Sequence, residues 1–296
     1  MHLVGPVWMT DSKQALYSTV NETRRWFNVE NEPCLGIVHV PASASNRALL
    51  IVVGGPQYRV GSHRQFLMLA RTVAMAGYTV MRFDYRGMGD SFGDTRDFAA
   101  VDADISIAID ELKRTSGVTR VVLWGLCDAA SAGLIYNSHK DGLDGLILLN
   151  PWVHTAQGEA KARLKTYYVQ RLFNRDLWAK IVRLQFDFSD SLKSLWAYWR
   201  RARAGTTKDM DSGQHFIDRM LQGLNRSSAP IYLILSGDDL TATEFEQLRS
   251  TSPAWRVGLA ARCRGELRHQ ISPVGLLPDI REYSYLSVCS CGVTKP

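Results

Sequence analysis

The sequence predicts an α/β protein in which a mostly parallel sheet is covered by helices on both faces. Short runs rich in apolar and β-branched residues recur along the chain. They are apolar along their whole length, as strands buried on both faces are. Segments with helical periodicity separate them. Such an alternation of strands and helices is typical of a parallel sheet.

Five of these apolar runs are predicted core strands. Two helical segments, at 63–77 and 98–117, lie between the first three strands, and each ends at a glycine, as helices commonly do. Ahead of them, residues 15–41 alternate enough to predict antiparallel edge strands. The five core strands are predicted at 48–55, 77–85, 120–126, 144–150 and 230–237.

The composition excludes several classes of protein. The 296 residues include 46% hydrophobic residues and five cysteines, which argues against a mainly disordered chain and against a disulfide scaffold. An odd number of scattered cysteines favours a reducing compartment. The first residues lack the pattern of a secretory leader, and no run approaches the ~20 apolar residues of a membrane-spanning helix. We therefore expect a cytoplasmic protein.

The net charge of +6 is concentrated in one segment. Between Trp152 and Arg226 there are 14 Lys or Arg and seven Asp or Glu residues, so this segment carries +7 and the rest of the chain is close to neutral. Its helical patterns carry aromatic faces, and a helical insertion at this point is expected to lie above the strand ends where open α/β sheets bind ligands. We predict a first core part at 1–151, a helical, basic and aromatic cap at 152–226, and a second core part with an atypical tail at 227–296.

The sharpest local signal is VVLWGLCDAAS at 121–131, where a core strand runs directly into a helix start of small residues. Cys127 lies at the turn, with Gly125 two residues before it and Ala129 two residues after it. A nucleophile on such a tight turn needs small residues at these positions, because the backbone segments approach closely. The helix N-terminus would favour the thiolate. The alternative is a buried, unreactive cysteine.

A second motif, RFDYRGMGDSFG at 82–93, follows the second of the core strands. Its D-x-R-G-x-G-x-S pattern resembles a turn of the α/β-hydrolase superfamily. The resemblance implies that Asp84, Arg86 and Ser91 tie a loop beside the active site. A dinucleotide site is discounted, because the spacing of the glycines is wrong and no long helix begins there.

A third motif, VVGGPQYRVGSHRQF at 52–66, begins at the end of the first core strand. In α/β-hydrolases the turn after this strand and the residue after the nucleophile donate backbone N–H groups to the oxyanion. Here the predicted donors are the amides of Gln57 and Asp128. An ordinary Gly-Pro turn is the alternative.

The same chain order predicts an acid and a histidine downstream. The strand at 230–237 is followed by two aspartates. We prefer Asp239 as the acid, with Asp238 as the alternative. His269 is the only histidine that follows them. Little strand is predicted before His269, and prolines interrupt the helical period after it.

Taken together, VVGGPQYRVGSHRQF, RFDYRGMGDS, WGLCDAAS and SGDDLTATEF resemble the first of the two α/β-hydrolase types associated with the exosortase A system of bacteria that make exopolysaccharide. The resemblance covers about residues 15–250. It implies the α/β-hydrolase fold and a cytoplasmic, hydrolase-like protein with Cys127 as nucleophile. The sequence around His269 departs from that pattern.

We expect acyl hydrolysis or transfer, in which His269 deprotonates Cys127, Asp239 orients the imidazole and the thiolate attacks an ester or thioester. The alternative is a catalytically silent hydrolase-fold protein that binds a glycan intermediate or a protein partner through its cap. No cofactor or metal is expected, because Cys289-Ser-Cys291 has no further ligand pattern.

The cap favours an anionic acyl or glycan-linked small molecule as substrate, and peripheral contact with an acidic membrane surface is a further expectation. Nucleic-acid binding is not expected, because no recognised module is present.

Charge reversal in the predicted cap tests this expectation. Replacement of Arg200, Arg201 and Arg203 by glutamate is expected to weaken binding of an acyl coenzyme A thioester, used as an anionic probe, and to reduce the salt dependence of its affinity. Titration calorimetry at two salt concentrations measures both quantities. The same reversal at Arg114 and Arg120, outside the predicted cap, is the control. Unchanged affinity and salt dependence would mean that the cap charges are only solvated.

Overall fold

The fold is described from a computed structural model that covers residues 20–54, 57–137, 143–154, 207–237 and 239–269, without the side chains of 207–215 and 269. The chain divides into two compact units. One consists of Met1–Trp152 and Arg219–Pro296, and the other of Val153–Asp218. The predicted domain boundaries at 151/152 and 226/227 stay a prediction, because 155–206 lie outside the described residues.

The larger unit is built on one mostly parallel sheet. Its described strands are β1 (Val20–Val29), β2 (Glu32–Pro41), β3 (Arg47–Val52), β4 (Thr79–Phe83), β5 (Arg120–Leu126), β6 (Gly145–Leu149), β7 (Ile231–Ser236) and β8 (Cys263–His269). They lie in the order β1-β2-β4-β3-β5-β6-β7-β8. β2 is antiparallel to both β1 and β4, and the other neighbours are parallel. The predicted α/β class and the antiparallel strands at one edge are confirmed.

Helices connect the strands. The described helices are α1 (Gln65–Met75), α2 (Asp102–Ser116), α3 (Asp128–Tyr136), α4 (Thr207–Arg226), α5 (Leu240–Thr251) and α6 (Pro253–Arg262). α2 ends as predicted at Gly117, which has a φ of 70° and donates its N–H to the Lys113 carbonyl. Glycine adopts this left-handed conformation at little cost.

β3 shows why the core strands are apolar throughout. Leu50 and Val52 lie in a core cluster that includes residues of α2, whereas Leu49 and Ile51 lie in a second cluster that includes residues of α1. Successive side chains of a strand point to opposite faces. Both faces of β3 are therefore buried under helices, as the continuous hydrophobic run predicts.

β8 corrects the prediction that little strand precedes His269. The segment CRGELRH pairs in parallel with β7. Leu267 packs against the core, while Glu266 lies on the more exposed side and binds Arg249 of α5 at 2.7 Å. Because β8 ends the described sheet and needs only one apolar face, its arginine- and glutamate-rich sequence concealed the strand.

A buried histidine lies in the antiparallel part of the sheet. The Nε2 atom of His39 accepts a hydrogen bond from Nε of Arg82 at 3.0 Å. The proton of the neutral imidazole is therefore on Nδ1, which lies 3.5 Å from Oε1 of Glu22. Burial and the positive charge of Arg82 lower the pKa of His39 from 6.5 to about 4. The folded protein thus holds this histidine neutral under mildly acidic conditions.

This histidine predicts acid sensitivity. Between pH 6.5 and about 4 the unfolded chain takes up a proton at His39 that the folded chain does not, so the free energy of unfolding falls as the pH falls. The loss approaches about 3 kcal/mol at the lower end. Urea unfolding across this range measures it. The His39→Gln variant, which keeps an acceptor, is expected to show a flatter pH dependence, and an equal fall in both proteins would contradict the assignment.

Candidate active site

The carboxyl ends of four parallel strands bring the predicted site residues to one edge of the sheet. Gln57 follows β3, Cys127 and Asp128 follow β5, Asp239 follows β7, and His269 is the last residue of β8. Open α/β sheets bind their ligands at this edge. The sheet topology therefore gathers residues that are far apart in the sequence.

Cys127 lies on a strained turn between β5 and α3. Its backbone has a φ of 59° and a ψ of −121°, a conformation that costs a non-glycine residue roughly 1–3 kcal/mol. Hydrogen bonds hold it there. Its N–H donates to the Leu149 carbonyl at 2.9 Å, and its carbonyl accepts from the N–H groups of Ala130 and Trp152 at 3.0 and 3.1 Å. The turn presents the side chain at the strand end, as a nucleophile elbow requires.

Two glycines let the backbone close around this turn. A Cβ atom on Gly125 would lie 2.6 Å from the backbone of Ala129. A Cβ atom on Gly54, just after β3, would lie 1.8 Å from Oδ1 of Asp128. Both distances are too short for real contacts. The loop after β3 and the start of α3 therefore meet closely beside Cys127, where the predicted oxyanion donors belong.

The thiol of Cys127 is protonated in the resting protein. Burial raises its pKa to about 11, and the carboxylates of Asp128 and Asp239 act in the same direction. The Asp128 amide and the Thr241 hydroxyl oppose them by hydrogen bonding to the sulfur. Desolvation and the two negative charges therefore oppose the thiolate that the helix N-terminus is expected to favour. A base must remove the proton before attack.

The side chain of Asp239 also has a structural role. Its Oδ1 caps α5 by accepting the Ala242 N–H at 3.1 Å. His269 pairs in the strand register with Ser236, three residues before Asp239. Whether the imidazole binds this acid stays a prediction, since the side chain of His269 lies outside the described residues, as does Asp238.

Neighbouring strands lie about 4.8 Å apart, so β8 is about 14 Å from β5 across the sheet. The His269 imidazole reaches Cys127 only if it crosses the ends of β6 and β7.

Asn150 is a residue that the sequence reasoning missed. It is buried directly after β6, with a φ of 45°. Its Nδ2 donates to the Ser236 hydroxyl at 3.1 Å, and its Oδ1 accepts the Ser236 N–H at 3.0 Å. Since Leu149 holds the amide of Cys127, Asn150 links the elbow to the end of β7. The Asn-Pro pair that follows a strand was the available turn signal.

The second motif forms two clamps. The Ser91 hydroxyl donates to the Asp84 carbonyl at 2.6 Å, and Oδ1 of Asp84 accepts the Arg59 N–H at 2.6 Å. The buried Arg86 guanidinium binds both oxygens of Asp104, with Nε to Oδ1 at 3.0 Å and Nη2 to Oδ2 at 2.8 Å. These contacts join the loops after β3 and β4 and anchor them to the start of α2.

Within the described part of the chain, no three His, Cys, Asp or Glu side chains cluster so that they could hold a metal ion. None of the described helices has the length and apolar character needed to cross a membrane. Cys289 and Cys291 lie outside the described residues.

A sequence model of the alpha/beta hydrolase family matches residues 49–273. This chain belongs to that family. Among curated proteins, this alpha/beta hydrolase is 33% identical to mouse (Mus musculus) lysophosphatidylserine lipase ABHD12 over 126 residues, which are 41% of this chain and 31% of the relative. It is 34% identical to human (Homo sapiens) Protein ABHD12B over 95 residues, which are 32% of this chain and 25% of the relative. The alignments thus span a third or less of these relatives.

Solved structures share the fold. The Pyrococcus furiosus esterase Pf2001 has a TM-score of 0.59 at 14% identity, and the match covers 95% of this chain and 92% of the esterase. A bacterial membrane phospholipase A has a TM-score of 0.57 at 16% identity, covering 94% and 89%. Est1E of Butyrivibrio proteoclasticus, in a structure with bound ferulic acid, has a TM-score of 0.56 at 12% identity, covering 90% and 99%.

The raised pKa of Cys127 gives a direct prediction for thiol reactivity. Alkylation of this residue by iodoacetamide is expected to be slow at pH 7 and to rise about tenfold per pH unit until it levels off near pH 11. Peptide mass spectrometry follows Cys127 separately from the other cysteines. In Asp128→Asn the plateau is expected at lower pH, because one of the negative charges is gone. A Cys127 that alkylates at its full rate at pH 7 would contradict the described electrostatics.

Proposed function

We propose that this alpha/beta hydrolase hydrolyses or transfers acyl groups of esters or thioesters with Cys127 as its nucleophile. The observation that carries the proposal is the backbone of Cys127, which has a positive φ at a strand-to-helix turn on the ligand-binding edge of the sheet. Proteins keep such strain mainly where it serves function. An unreactive core cysteine would gain nothing from this conformation.

The proposed reaction begins with proton transfer from the Cys127 thiol to His269, which Asp239 orients. The sulfur then attacks the carbonyl carbon, and the amides of Gln57 and Asp128 bind the oxyanion. Collapse of this intermediate breaks the bond to the alcohol or thiol, which leaves with the proton from His269. Water or another acceptor then attacks the acyl-Cys127 thioester and regenerates the thiol.

Acidic surroundings suit such a cycle. The carboxylates of Asp128 and Asp239 disfavour a free thiolate at rest. The thiolate therefore forms only as His269 takes up the proton, and the positive imidazolium then offsets one of the nearby negative charges. A protonated resting thiol is also protected from oxidation and alkylation. This protection suits an enzyme that waits for an activated acyl substrate.

A lipase, an esterase and a phospholipase among the similar proteins support carboxylic esters as the substrate class. The resemblance of GGPQYRVGSHRQF and GLCDAAS to the exosortase-associated type supports a role in a cytoplasmic step linked to exopolysaccharide production. The basic cap favours an anionic acyl or glycan-linked substrate, with peripheral membrane contact through the same segment.

A second candidate is a silent hydrolase-fold protein that binds a glycan intermediate or a partner. One observation favours it: an oxygen of Asp239 is engaged as a helix cap. Binding of a ligand without any covalent adduct would support this candidate.

Removal of the nucleophile separates the two candidates. With 4-nitrophenyl butyrate as an activated ester, the native protein is expected to show a burst of 4-nitrophenol followed by slower turnover, because the acyl-enzyme accumulates. Cys127→Ala is expected to abolish the burst and to lower turnover by at least about 10³-fold. Stopped-flow absorbance measures both phases.

Cys263→Ala, at another half-buried thiol, is the matched control and should retain the burst. His269→Gln is expected to slow the burst. The nucleophile assignment is wrong if Cys127→Ala keeps the burst and the turnover.

A further inference from the structure

Described residues on both sides of the predicted oxyanion donor Gln57 make anchoring contacts. On one side, Gly54 packs against Asp128 at the start of α3. On the other side, Arg59 is bonded to Asp84 after β4. The side chain of Gln57 is itself held, because its Oε1 accepts a hydrogen bond from Nε2 of the buried Gln65 at 3.2 Å. The direction of the backbone N–H of Gln57 therefore depends on these contacts.

Arg59 makes the densest set of these contacts. Its N–H and its Nη1 bind the two carboxylate oxygens of Asp84, the former at 2.6 Å. Its Nη2 lies 2.5 Å from Oδ2 of Asp90. Its carbonyl accepts a hydrogen bond from Nη1 of Arg82 at 3.1 Å. Both the backbone and the side chain of Arg59 are thus bonded to the rigid end of β4.

Burial strengthens the ion pair between Arg59 and Asp84. The Asp84 side chain is fully buried, and that of Arg59 is 13% exposed. Ion pairs shielded from water are weakened little by salt, and removal of one partner is costly. Gly89 lets the clamp close, because a Cβ atom there would lie 2.3 Å from the Asp84 carboxylate. The turn of Cys127, in contrast, is held by Leu149 and Trp152.

We propose that Arg59 is a positioning residue for acyl transfer. By binding Asp84 and Asp90, it holds the loop after β3 so that the backbone N–H of Gln57 faces the oxyanion. The inference rests on the proposed function of Cys127. Arg59 acts through Gln57 and leaves the thiol and its turn in place. Loss of Arg59 therefore impairs the step in which an oxyanion forms, and spares reactions of the sulfur that form none.

Two reactions of the same thiol test this. Hydrolysis of 4-nitrophenyl butyrate passes through an oxyanion, whereas alkylation by iodoacetamide does not. Arg59→Met is expected to lower kcat for the ester roughly ten- to hundredfold, since misplacing a donor costs somewhat less than removing it. KM is expected to change less than about threefold, and the alkylation rate of Cys127 less than about twofold. Arg59→Lys, which keeps the charge, should restore part of kcat.

Further variants keep the test decisive. Asp90→Asn removes one partner whose side chain is 59% exposed, so it should fold even if Arg59→Met does not, and it is expected to lower kcat by about two- to fivefold. Arg120→Met removes the ion pair with Asp144 at the opposite end of β5 and should leave kcat unchanged. Thermal unfolding checks the fold of every variant.

The outcomes are separable. If Cys127→Ala abolishes ester turnover but Arg59→Met and Asp90→Asn keep kcat within about twofold, the positioning role is overturned and the nucleophile stands. A parallel fall of turnover and alkylation in Arg59→Met would also overturn it, since the damage would then reach the thiol itself. If Cys127→Ala retains full turnover, the proposed function fails and the role of Arg59 fails with it.

Discussion

Cys127 has a positive φ between the last residue of β5 and the first turn of α3, and the other features of the site are arranged around that turn. The strain is balanced by hydrogen bonds from the end of β6 and from Trp152. Gly54 and Gly125 allow neighbouring backbone to close over it. Because the strands are parallel and adjacent, the same edge also carries Asp239 and the end of β8. The turn at Cys127 and the order of the parallel strands therefore together determine where the site residues lie.

The electrostatic surroundings of this turn favour the protonated thiol. Burial and nearby carboxylates keep the thiol protonated, with a pKa of about 11. A short distance away, the opposite arrangement stabilises the loops, since the buried Asp84 and Asp104 each face an arginine. Buried charges of this kind are tolerated only when they are paired. The clamps hold the loops after β3 and β4, and the carboxylates of Asp128 and Asp239 near the sulfur make the proposed attack depend on a base.

The sequence predicted the structure well where a strand is buried on both faces or where a tight turn admits only small residues. The apolar runs of β3 to β7 had to be covered strands, and the small residues around Cys127 predicted the elbow. β8 and α6 were missed. In β8, Glu266 and Arg268 lie on the more exposed side and hide the apolar alternation. In α6, the start was marked by Ser252 and by Pro253 in the first turn, a pattern that begins helices.

The roles of Asn150, Thr241 and Arg59 could not be predicted in the same way. Each depends on a partner in another segment: Ser236 for Asn150, the Cys127 sulfur for Thr241 and Asp84 for Arg59. The central claim is that Cys127 forms an acyl-enzyme. Peptide mass spectrometry after rapid mixing with 4-nitrophenyl butyrate at pH 7.5 tests it most directly. The account predicts a butyryl group on the peptide containing Cys127, removed by hydroxylamine and absent in Cys127→Ala. Ester turnover with no butyryl group on Cys127, or with the group on another residue, would contradict it.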